Sequence, residues 1–509
     1  MSLKIMVGPL LGYEQGDFYT VCVLTEPLPV APELQLSGVA AGPVAFTQVG
    51  TAGGLSFWRA EFNLPVPANA LNVGYRVLVA GGAIVDRHGR TDWGFYVPGA
   101  KESPRLAYAS CNGFSSGDLA KNTPEPYRLW QKMHEQHAGT PKTKDRPAQP
   151  PQPFALMLMG GDQVYADEIW QSKACPRLKA WGELSEDEQI AAKAGPAIQR
   201  EIEGFYDWLY TDRWKDEDMS YMLASVPTVM MWDDHDIFDG WGSYPARMLN
   251  CEVYQAVFKN ARRTFELFQL RGSTRSRLNA GAAHFSLWLR FRSHLILSLD
   301  NRSERTLDQI MSPAHWNDVK AWLVAQAPAK GDSLLVMTGV PAVYRSFANV
   351  EKYMDATPWH EELEDDLHDH WTAKLHQTER LKLIMVLLNF LEKHPDKCRG
   401  VLLSGDVHVG GLGQIWDERR KVGLTQIISS GIVHPPPGMI AWVGITVVTT
   451  DNPEQLGDGD AVAEMLTPAG SDRYLRTRNF ATLMEGTDAK LWVNWVCEKE
   501  KFKPVFAIS

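Results

Sequence analysis

The chain has 509 residues, of which 44% are hydrophobic and 22% are charged, and its formal net charge is −10. This length favours two or more packed units, and the composition excludes disorder or a fibrous class for the bulk of the chain. There is no long run of Lys or Arg, which argues against a protein that mainly neutralises nucleic-acid phosphates. The negative net charge is still compatible with phosphate chemistry, because bound cations reverse the local electrostatic potential of a carboxylate cluster.

Residues 1–99 contain short stretches of alternating apolar and polar residues, separated by Gly and Pro clusters. Such stretches are Phe18–Leu24, Leu55–Phe62, Val73–Val79 and Trp93–Val97. The alternation is typical of antiparallel strands. We therefore predict a small immunoglobulin- or fibronectin-like β-sandwich over residues 1–99, with an exit linker that includes Ser103 and Pro104.

From residue 104 onward, apolar runs repeatedly end in polar residues. The runs are Leu106–Ala109, Phe154–Met159, Thr228–Trp232, His294–Leu299 and Val401–Leu403. Helical patterns lie between them, notably at Glu188–Tyr210, Val253–Leu270 and Thr378–Lys393. This order predicts an α/β domain over residues 104–509, in which functional groups gather at the carboxyl ends of buried strands.

Three segments depart from this alternation. Five prolines make residues 137–153 most simply an exposed loop. The stretch His360–His370 is rich in Asp, Glu and His, but an acidic segment of this kind usually forms a solvated helix face. From about Thr477 the sequence again favours strands, which we expect to pack back on the sheets of the main domain.

Asp162 follows Gly160-Gly161 at the end of a predicted strand, and Tyr165 comes three residues later. Glycine lets the backbone turn sharply, so the carboxylate can approach a metal, and a turn would bring the phenol to the same side. A phenolate is an acceptable ligand only for a strongly Lewis-acidic ion, of which ferric iron is the natural candidate. A strand-to-helix turn with a capping aspartate is the competing interpretation of this motif by itself.

A second motif, Gly405-Asp406-Val407-His408, also follows an apolar strand. In an extended segment Asp406 and His408 would project from one side, as a pair of metal ligands requires. A capping aspartate beside a hydrogen-bonded histidine is the alternative for such a pair.

The segment from Trp232 to Gly240 concentrates four carboxylates, including Asp234 and Asp239, around His235. Such a density of negative charge after a buried strand favours a bound cation over a solvated surface loop. His235 could donate a proton to a leaving oxygen, because imidazole titrates near neutrality.

Other candidate residues are individually ambiguous. Cys111 ends a strand after Ser110 and is either a metal ligand or a small core residue. Arg302 and Arg305 could grip a phosphate, or could pair with Asp300 or Glu304 in a salt bridge. We assign His434, which precedes three prolines, to a rigid loop.

In this order the motifs resemble those of the alkaline phosphatase D (PhoD-like) family of metallophosphatases. They are Ser110-Cys111, Gly161-Asp162-x-x-Tyr165, Trp232-Asp233-Asp234-His235-Asp236, Leu299-Asp300-x-Arg302 and Ser404-Gly405-Asp406-x-His408. The resemblance spans roughly residues 104 to 450, and the ordered combination is far more specific than any single motif. It implies a four-layer α/β/β/α metallophosphatase domain preceded by a small all-β sandwich.

The resemblance also implies a metal-dependent hydrolase of phosphate esters, often with iron and calcium. Cys111, Asp162, Tyr165 and His408 would hold one metal, with ferric iron expected there. Asp162 would bridge to a second metal, calcium or another divalent cation, held by Asp406 and the loop that contains Asp234 and Asp239. The Gly-Asp-x-x-Tyr element is also similar to that of purple acid phosphatases, and supports a tyrosinate on ferric iron.

The resulting hypothesis is that two metals supply a hydroxide, while His235 protonates the leaving oxygen and Arg302 orients the phosphoryl group. Two alternatives stay open: a phosphodiesterase with the same metal site, and a catalytically silent metal-binding or interaction module. The expected partner is a small phosphate-ester substrate, with no nucleic acid and no membrane span; the sequence leaves the oligomeric state open.

The six cysteines are scattered and form no C-x-x-C pair, which favours a reducing compartment. The N-terminal residues show no signal-peptide cleavage region, so the sequence as given predicts a cytoplasmic location. Export is expected instead if a leader has been removed.

Overall fold

The computed structural model describes residues 3–143, 147–345, 371, 375–457, 459–499 and 501–509. The stretch His360–His370 lies outside the described residues. The strands are β1 (Lys4–Glu14), β2 (Phe18–Thr25), β3 (Glu33–Ser37), β4 (Val44–Ala45), β5 (Thr47–Ala52), β6 (Leu55–Asn63), β7 (Leu71–Val79), β8 (Gly82–Ala83), β9 (Val85–Asp86), β10 (Trp93–Val97), β11 (Leu106–Ala109), β12 (Leu156–Gly160), β13 (Thr228–Met231), β14 (Leu287–Phe291), β15 (His294–Ser298), β16 (Asp332–Met337), β17 (Cys398–Ser404), β18 (Gly410–Asp417), β19 (Val422–Ser429), β20 (Glu454–Leu456), β21 (Ala461–Leu466), β22 (Tyr474–Leu475), β23 (Asn479–Glu485), β24 (Leu491–Cys497) and β25 (Val505–Ile508). The α-helices are α1 (Gly117–Asn122), α2 (Arg128–Ala138), α3 (Pro176–Gly182), α4 (Glu186–Ala191), α5 (Pro196–Arg213), α6 (Glu217–Ser225), α7 (Ala246–Leu249), α8 (Glu252–Phe268), α9 (Pro313–Ala325), α10 (Gln377–Lys393) and α11 (Met439–Val448).

Two large sheets carry the molecule. The first has eleven strands, in the order β25-β24-β23-β11-β12-β13-β1-β2-β6-β5 with β9 beside β1. The second has nine strands, in the order β14-β15-β16-β17-β19-β18-β21-β20 with β22 beside β18. The C-terminal strand β23 runs antiparallel to β11 and so extends the first sheet.

Successive side chains along the strands of the second sheet pack on opposite faces of that sheet, so the core has two layers. Ile296, Leu335 and Leu403 belong to the large core shared with the first sheet, whereas their neighbours Leu297 and Val336 pack on the other side. This second layer includes side chains of the helices α9 and α10. Because side chains of a strand point alternately to opposite faces, the sheets lie back to back with helices outside. The predicted α/β/β/α arrangement is confirmed.

The N-terminal strands confirm the predicted all-β region, but one of its two sheets is not separate. Strands β1, β2, β6 and β5 continue the first large sheet, because β1 pairs in parallel with β13 at Gly12 and Thr228. A five-stranded sheet, β10-β7-β3-β4 with β8, forms the other half. A Cβ at Gly12 would lie 2.5 Å from Thr20 Oγ1 and 2.8 Å from Arg271 Nη1, so a larger residue at this junction would have to displace those two side chains.

The predicted helix Glu188–Tyr210 is in fact two helices. The first ends at Ala191, and the second begins at Pro196 after Gly195. Proline is favoured at the first position of a helix and disfavoured in its interior, so one helix ends before Pro196 and a new helix begins there. Among the described residues, no helix has both the length and the apolar character needed to cross a bilayer.

His294 opens strand β15 and makes the stability of the fold sensitive to acid. Burial lowers its pKa to about 4, with further lowering by Arg399 and Arg290, and neither ring nitrogen has a hydrogen-bond partner among the described residues. Between about pH 6.5 and pH 4 the unfolded chain therefore binds a proton that the folded chain does not bind.

We expect the free energy of unfolding to fall by about 3 kcal/mol from this residue as the pH drops from 6.5 to 4. Chemical denaturation of the wild type and of His294→Leu at several pH values measures this. The variant should lose less stability than the wild type over that range, and an identical pH dependence would contradict the assignment.

Candidate metal centre

The carboxyl ends of parallel strands from both large sheets meet at one place. Strands β11, β12 and β13 are parallel neighbours in the first sheet, and β15, β16, β17 and β19 are parallel neighbours in the second. A Cβ at Gly405, just after β17, would lie 2.1 Å from Ser110 Oγ, just after β11. Glycine at position 405 therefore lets the two sheets approach closely enough for their terminal residues to form one site.

A first group of candidate ligands consists of Cys111, Asp162 and His408, whose donor atoms all lie within 4.8 Å of one another. Cys111 Sγ lies 3.4 Å from Asp162 Oδ2, and the Tyr165 hydroxyl lies 3.1 Å from His408 Nε2. Asp162 Oδ1 is buried and has no hydrogen-bond partner among the described residues. Sulfur, imidazole, carboxylate and phenol donors around an unsatisfied oxygen fit a transition-metal ion.

A second group consists of Asp162, Asp233 and Asp234, again within 4.8 Å of one another and all buried. Asp162 therefore belongs to both groups. Three buried carboxylates are costly unless cations compensate their charge, so this group fits a hard cation with oxygen ligands.

The third group, Asp234, His235 and Asp239, leads from the interior to the surface. The side chain of His235 is 11% exposed and that of Asp239 is 59% exposed, with 3.9 Å between His235 Nε2 and Asp239 Oδ1. His235 Nδ1 lies 2.9 Å from the carboxylate of Asp167, which also accepts a 2.8 Å hydrogen bond from the main-chain N–H of Asp239. Asp167 thus fixes the orientation of the imidazole.

Four of the candidate residues hold an uncommon backbone conformation. Cys111, Asp162, Asp406 and His408 have φ angles of 55°, 52°, 65° and 52°. The left-handed region costs a residue with a side chain roughly 1–2 kcal/mol, and such strain clusters at functional sites. The expectation that Asp406 and His408 share one side of an extended segment is wrong, because β17 ends at Ser404 and both residues turn.

Asp406 belongs to none of the three groups. Its main-chain oxygen lies 4.0 Å from Cys111 Sγ, and its charge helps to raise the pKa of that thiol, after the larger effect of burial. The structure therefore brings Asp406 beside Cys111, and the donor clusters found among the described residues do not include its carboxylate.

Burial dominates the electrostatics of the first group. It raises the pKa of Asp162, Cys111 and Tyr165, and negative neighbours raise them further. Burial also lowers the pKa of His408 well below its ordinary value, with help from His434 and His235. The protein alone thus disfavours the anionic forms of three donors, whereas a bound cation favours them together with a neutral imidazole.

His235 has the opposite electrostatic character. Burial disfavours its charged form, but the carboxylates of Asp167 and Asp234 outweigh burial and raise its pKa well above the ordinary value. A histidine that retains a proton at the exposed side of a metal site can act as a general acid.

Arg302 does not have the position expected of a phosphate clamp. Its side chain is fully buried, its Nε donates to Asp233 Oδ1, and its Nη2 lies 3.3 Å from Asp234 Oδ1. Its Nη1 donates to the main-chain oxygen of Trp241 at 3.2 Å. The expected role of gripping substrate is corrected: the structure makes Arg302 an internal counter-ion of the second group. Neither Asp233 nor Asp234 was among the salt-bridge partners weighed from the sequence, because both are distant from Arg302 along the chain.

Sequence reasoning missed two residues beside the site. His434 does not merely occupy a rigid loop: its ring stacks on His408 with centroids 3.6 Å apart and on Tyr165 at 5.4 Å. Burial lowers the pKa of His434 to about 3. Asp167 lies two residues after Tyr165 in the sequence Gly-Asp-x-x-Tyr-x-Asp. This short spacing could have indicated that Asp167 lies beside the site.

Asp236 is the carboxylate of the acidic loop that supports the architecture. It accepts hydrogen bonds from the main-chain N–H groups of Asp233, Gln163 and Val164, and from the side chain of Gln269. These bonds join the loops that follow β12 and β13. Asp236 therefore fixes the positions of the first and second ligand groups relative to each other.

The fold defines a class of protein. It is similar to the structure of PhoD, with a TM-score of 0.58 and 12% identity over 99% of this chain and 89% of that chain. It is also similar to purple acid phosphatase PPD1 from yellow lupin (Lupinus luteus) seeds, with a TM-score of 0.51 and 11% identity over 98% of this chain and 74% of that chain. The architecture is that of the metallophosphatases.

The sequence narrows the class to a family. The profile of the PhoD related phosphatases matches residues 82–361, more than half of the chain, and the chain belongs to this family. An uncharacterized protein of Saccharomyces cerevisiae is 28% identical over 435 residues, which cover 74% of this chain. The matched region covers 58% of the length of that yeast relative. Family membership confirms the resemblance predicted from the ordered motifs.

Proposed function

We propose that the protein is a metal-dependent hydrolase of small phosphate esters that uses two metal ions. The observation that carries this proposal is the shared position of Asp162, which belongs both to the group with Cys111 and His408 and to the group with Asp233 and Asp234. One carboxylate between two sets of donors is the arrangement expected of a bridging ligand in a two-metal site.

In this proposal Cys111, Asp162, Tyr165 and His408 hold the first metal. The mixed sulfur, nitrogen and phenol donors favour ferric iron there. Asp162, Asp233 and Asp234 hold the second metal, with Asp239 and Asp406 as nearby carboxylates, and the all-oxygen donors favour calcium or another divalent cation. When bound, such a pair supplies a nucleophile at neutral pH and stabilises the negative charge of the transition state.

The residues of the chain position the substrate and move the proton. The exposed edge at Asp239 and His235 is where a phosphate ester would enter. His235, protonated because of Asp167 and Asp234, gives its Nε2 proton to the leaving oxygen. Arg302 neutralises part of the charge of Asp233 and Asp234, so that an anionic substrate can approach this carboxylate-rich site.

Asp167 is a positioning residue in this proposal. Asp167→Asn keeps the shape of the side chain but removes the charge that holds the proton on His235, and we expect kcat to fall about 10²- to 10⁴-fold with little change in KM. Steady-state kinetics with p-nitrophenyl phosphate measures both constants. A matched control is Asp318→Asn, which changes the carboxylate partner of another histidine, His284, at 3.1 Å. Equal kinetics for Asp167→Asn and the wild type would contradict the role of Asp167.

The proposed function is tested by metal content and turnover measured on the same preparations. We expect bound metal, and hydrolysis of p-nitrophenyl phosphate or of bis(p-nitrophenyl) phosphate that is lost on chelation. Faster turnover of the bis ester would identify a phosphodiesterase with the same site. A metal-loaded preparation with neither activity would favour a silent metal-binding module, and a metal-free preparation that hydrolyses esters would contradict the proposal.

A further inference from the structure

Ser430, the first residue after β19, contacts two of the candidate ligands of the first group. Its hydroxyl oxygen accepts a 2.8 Å hydrogen bond from the main-chain N–H of His408 and lies 3.0 Å from Cys111 Sγ. The Ser430 side chain is fully buried. Cys111 follows a strand of the first large sheet and His408 follows a strand of the second. One buried hydroxyl therefore joins a sulfur donor from one sheet to a histidine donor from the other.

The geometry around Ser430 decides which way its own proton points. The oxygen already accepts from the N–H of His408, so the hydroxyl proton must go to another atom. Among the described residues, Cys111 Sγ is the remaining hydrogen-bonding partner of this hydroxyl. A sulfur that binds a metal does so as a thiolate, which has no proton and can only accept. The Ser430 hydroxyl therefore donates to this sulfur when Cys111 serves as a ligand.

Ser110 also contacts the sulfur, but its proton has another acceptor. Its hydroxyl lies 3.3 Å from Cys111 Sγ and donates to the main-chain oxygen of Ser429 at 3.1 Å. A hydroxyl carries a single proton, so the bond to the carbonyl competes with any bond to the sulfur. Ser430 has the shorter contact and no competing acceptor within the described part of the chain, and is therefore the principal hydroxyl donor to Cys111.

The main chain around Ser430 is fixed by buried hydrogen bonds. The side chain of Asn479 donates to the main-chain oxygen of Ser430 at 3.1 Å and accepts from the hydroxyl of Ser429 at 2.8 Å. The main-chain N–H of His434 donates to the main-chain oxygen of Cys111 at 3.1 Å. These bonds tie the loop after β19 to the segment that carries the sulfur. The hydroxyl is therefore held in position by the protein itself, as a group that supports a metal ligand must be.

We propose that Ser430 is a positioning residue that tunes the first metal through the sulfur of Cys111. A hydrogen bond to a ligating sulfur withdraws electron density from it, which favours the reduced metal and raises its reduction potential. Partners of this kind also orient the ligands, and their loss typically lowers metal affinity about 10- to 100-fold. The inference rests on the proposed function, because it requires ferric iron at Cys111, Asp162 and His408.

The test compares the iron-loaded wild type with iron-loaded Ser430→Ala. A reductive titration followed in the visible spectrum measures the reduction potential, and competition with a chelator measures iron affinity. We expect a lower potential in the variant, because the sulfur regains electron density. We also expect an iron affinity about 10- to 100-fold lower, because the N–H of His408 loses its acceptor. Ser430→Thr retains the hydroxyl and should restore both quantities toward the wild-type values.

The matched control is Ser429→Ala, which removes a buried hydroxyl from the neighbouring residue. That hydroxyl contacts Asn479 rather than a candidate ligand, so the control should keep the wild-type potential even if it is less stable. A wild-type potential in iron-loaded Ser430→Ala would overturn this inference alone. Activity with a redox-inert metal in place of iron would also overturn it and leave metal-dependent hydrolysis standing, whereas a wild type that binds no metal would overturn both.

Discussion

Asp162→Asn is expected to abolish metal loading and turnover together. The Asp162 carboxylate is fully buried, belongs to both main ligand groups, and has an oxygen without a hydrogen-bond partner among the described residues. Asparagine keeps the size of the side chain but removes the negative charge that a bridging ligand supplies. We expect both metals to be lost and turnover to fall by at least about 10³-fold, equivalent to about 4 kcal/mol of transition-state stabilisation.

The control for this substitution is Asp332→Asn at the start of β16. Asp332 is also buried and accepts a 2.7 Å hydrogen bond from Arg290 Nη2, but it lies at the opposite end of its strand from the metal centre. The control should retain metal and activity even if it is less stable. A fully metallated and fully active Asp162→Asn protein would remove the basis of the two-metal proposal.

Arg302→Gln is expected to destabilise the metal-free protein strongly. Arg302 is the buried counter-ion of Asp233 and Asp234, and glutamine would leave those carboxylates without its charge. Removal of one partner from a buried ion pair typically costs about 3–5 kcal/mol. A bound cation supplies positive charge to the same carboxylates, so the loss should be smaller when metal is added than in the presence of a chelator.

Denaturant unfolding of wild type and variant, with metal and with chelator, measures both effects. The matched control is Arg247→Gln, because Arg247 is exposed and pairs with the exposed carboxylates of Glu186 at 2.6 Å and Asp187 at 3.1 Å. An exposed pair contributes at most about 1 kcal/mol, so this control should change stability little in either condition. If Arg302→Gln unfolded like the control, Arg302 would not be an essential counter-ion.

The class of the fold and the general place of the site could be predicted because the signals are local. Buried runs that end in Ser110-Cys111, Gly161-Asp162 and Ser404-Gly405 predict strand ends, and parallel strands bring such ends to one edge. The order of the motifs then identified the family. The joining of β1 to β13 was not predictable in the same way, because nothing near Gly12 in the sequence indicates which distant strand it will contact.

The details of the site depend on contacts between distant segments. Arg302 pairs with Asp233 across two sheets, which periodicity and spacing do not encode. His408 was assigned to an extended segment, whereas its left-handed backbone accompanies a hydrogen bond from its N–H to Ser430 Oγ on the loop after β19. The same loop carries His434 to the ring of His408. In each case tertiary packing overrides the local pattern on which the expectation rested.

Metal content per chain, together with the visible spectrum of the active protein, tests the proposed two-metal site most directly. We predict about two metal ions per chain, as for a two-metal site, and a tyrosinate-to-iron charge-transfer band that disappears in Tyr165→Phe. The Tyr165 hydroxyl lies 3.1 Å from His408 Nε2, so this substitution removes a phenol donor beside the first group and leaves the group itself, Cys111, Asp162 and His408, in place. Full hydrolytic activity in a chain that contains no metal would contradict the two-metal site.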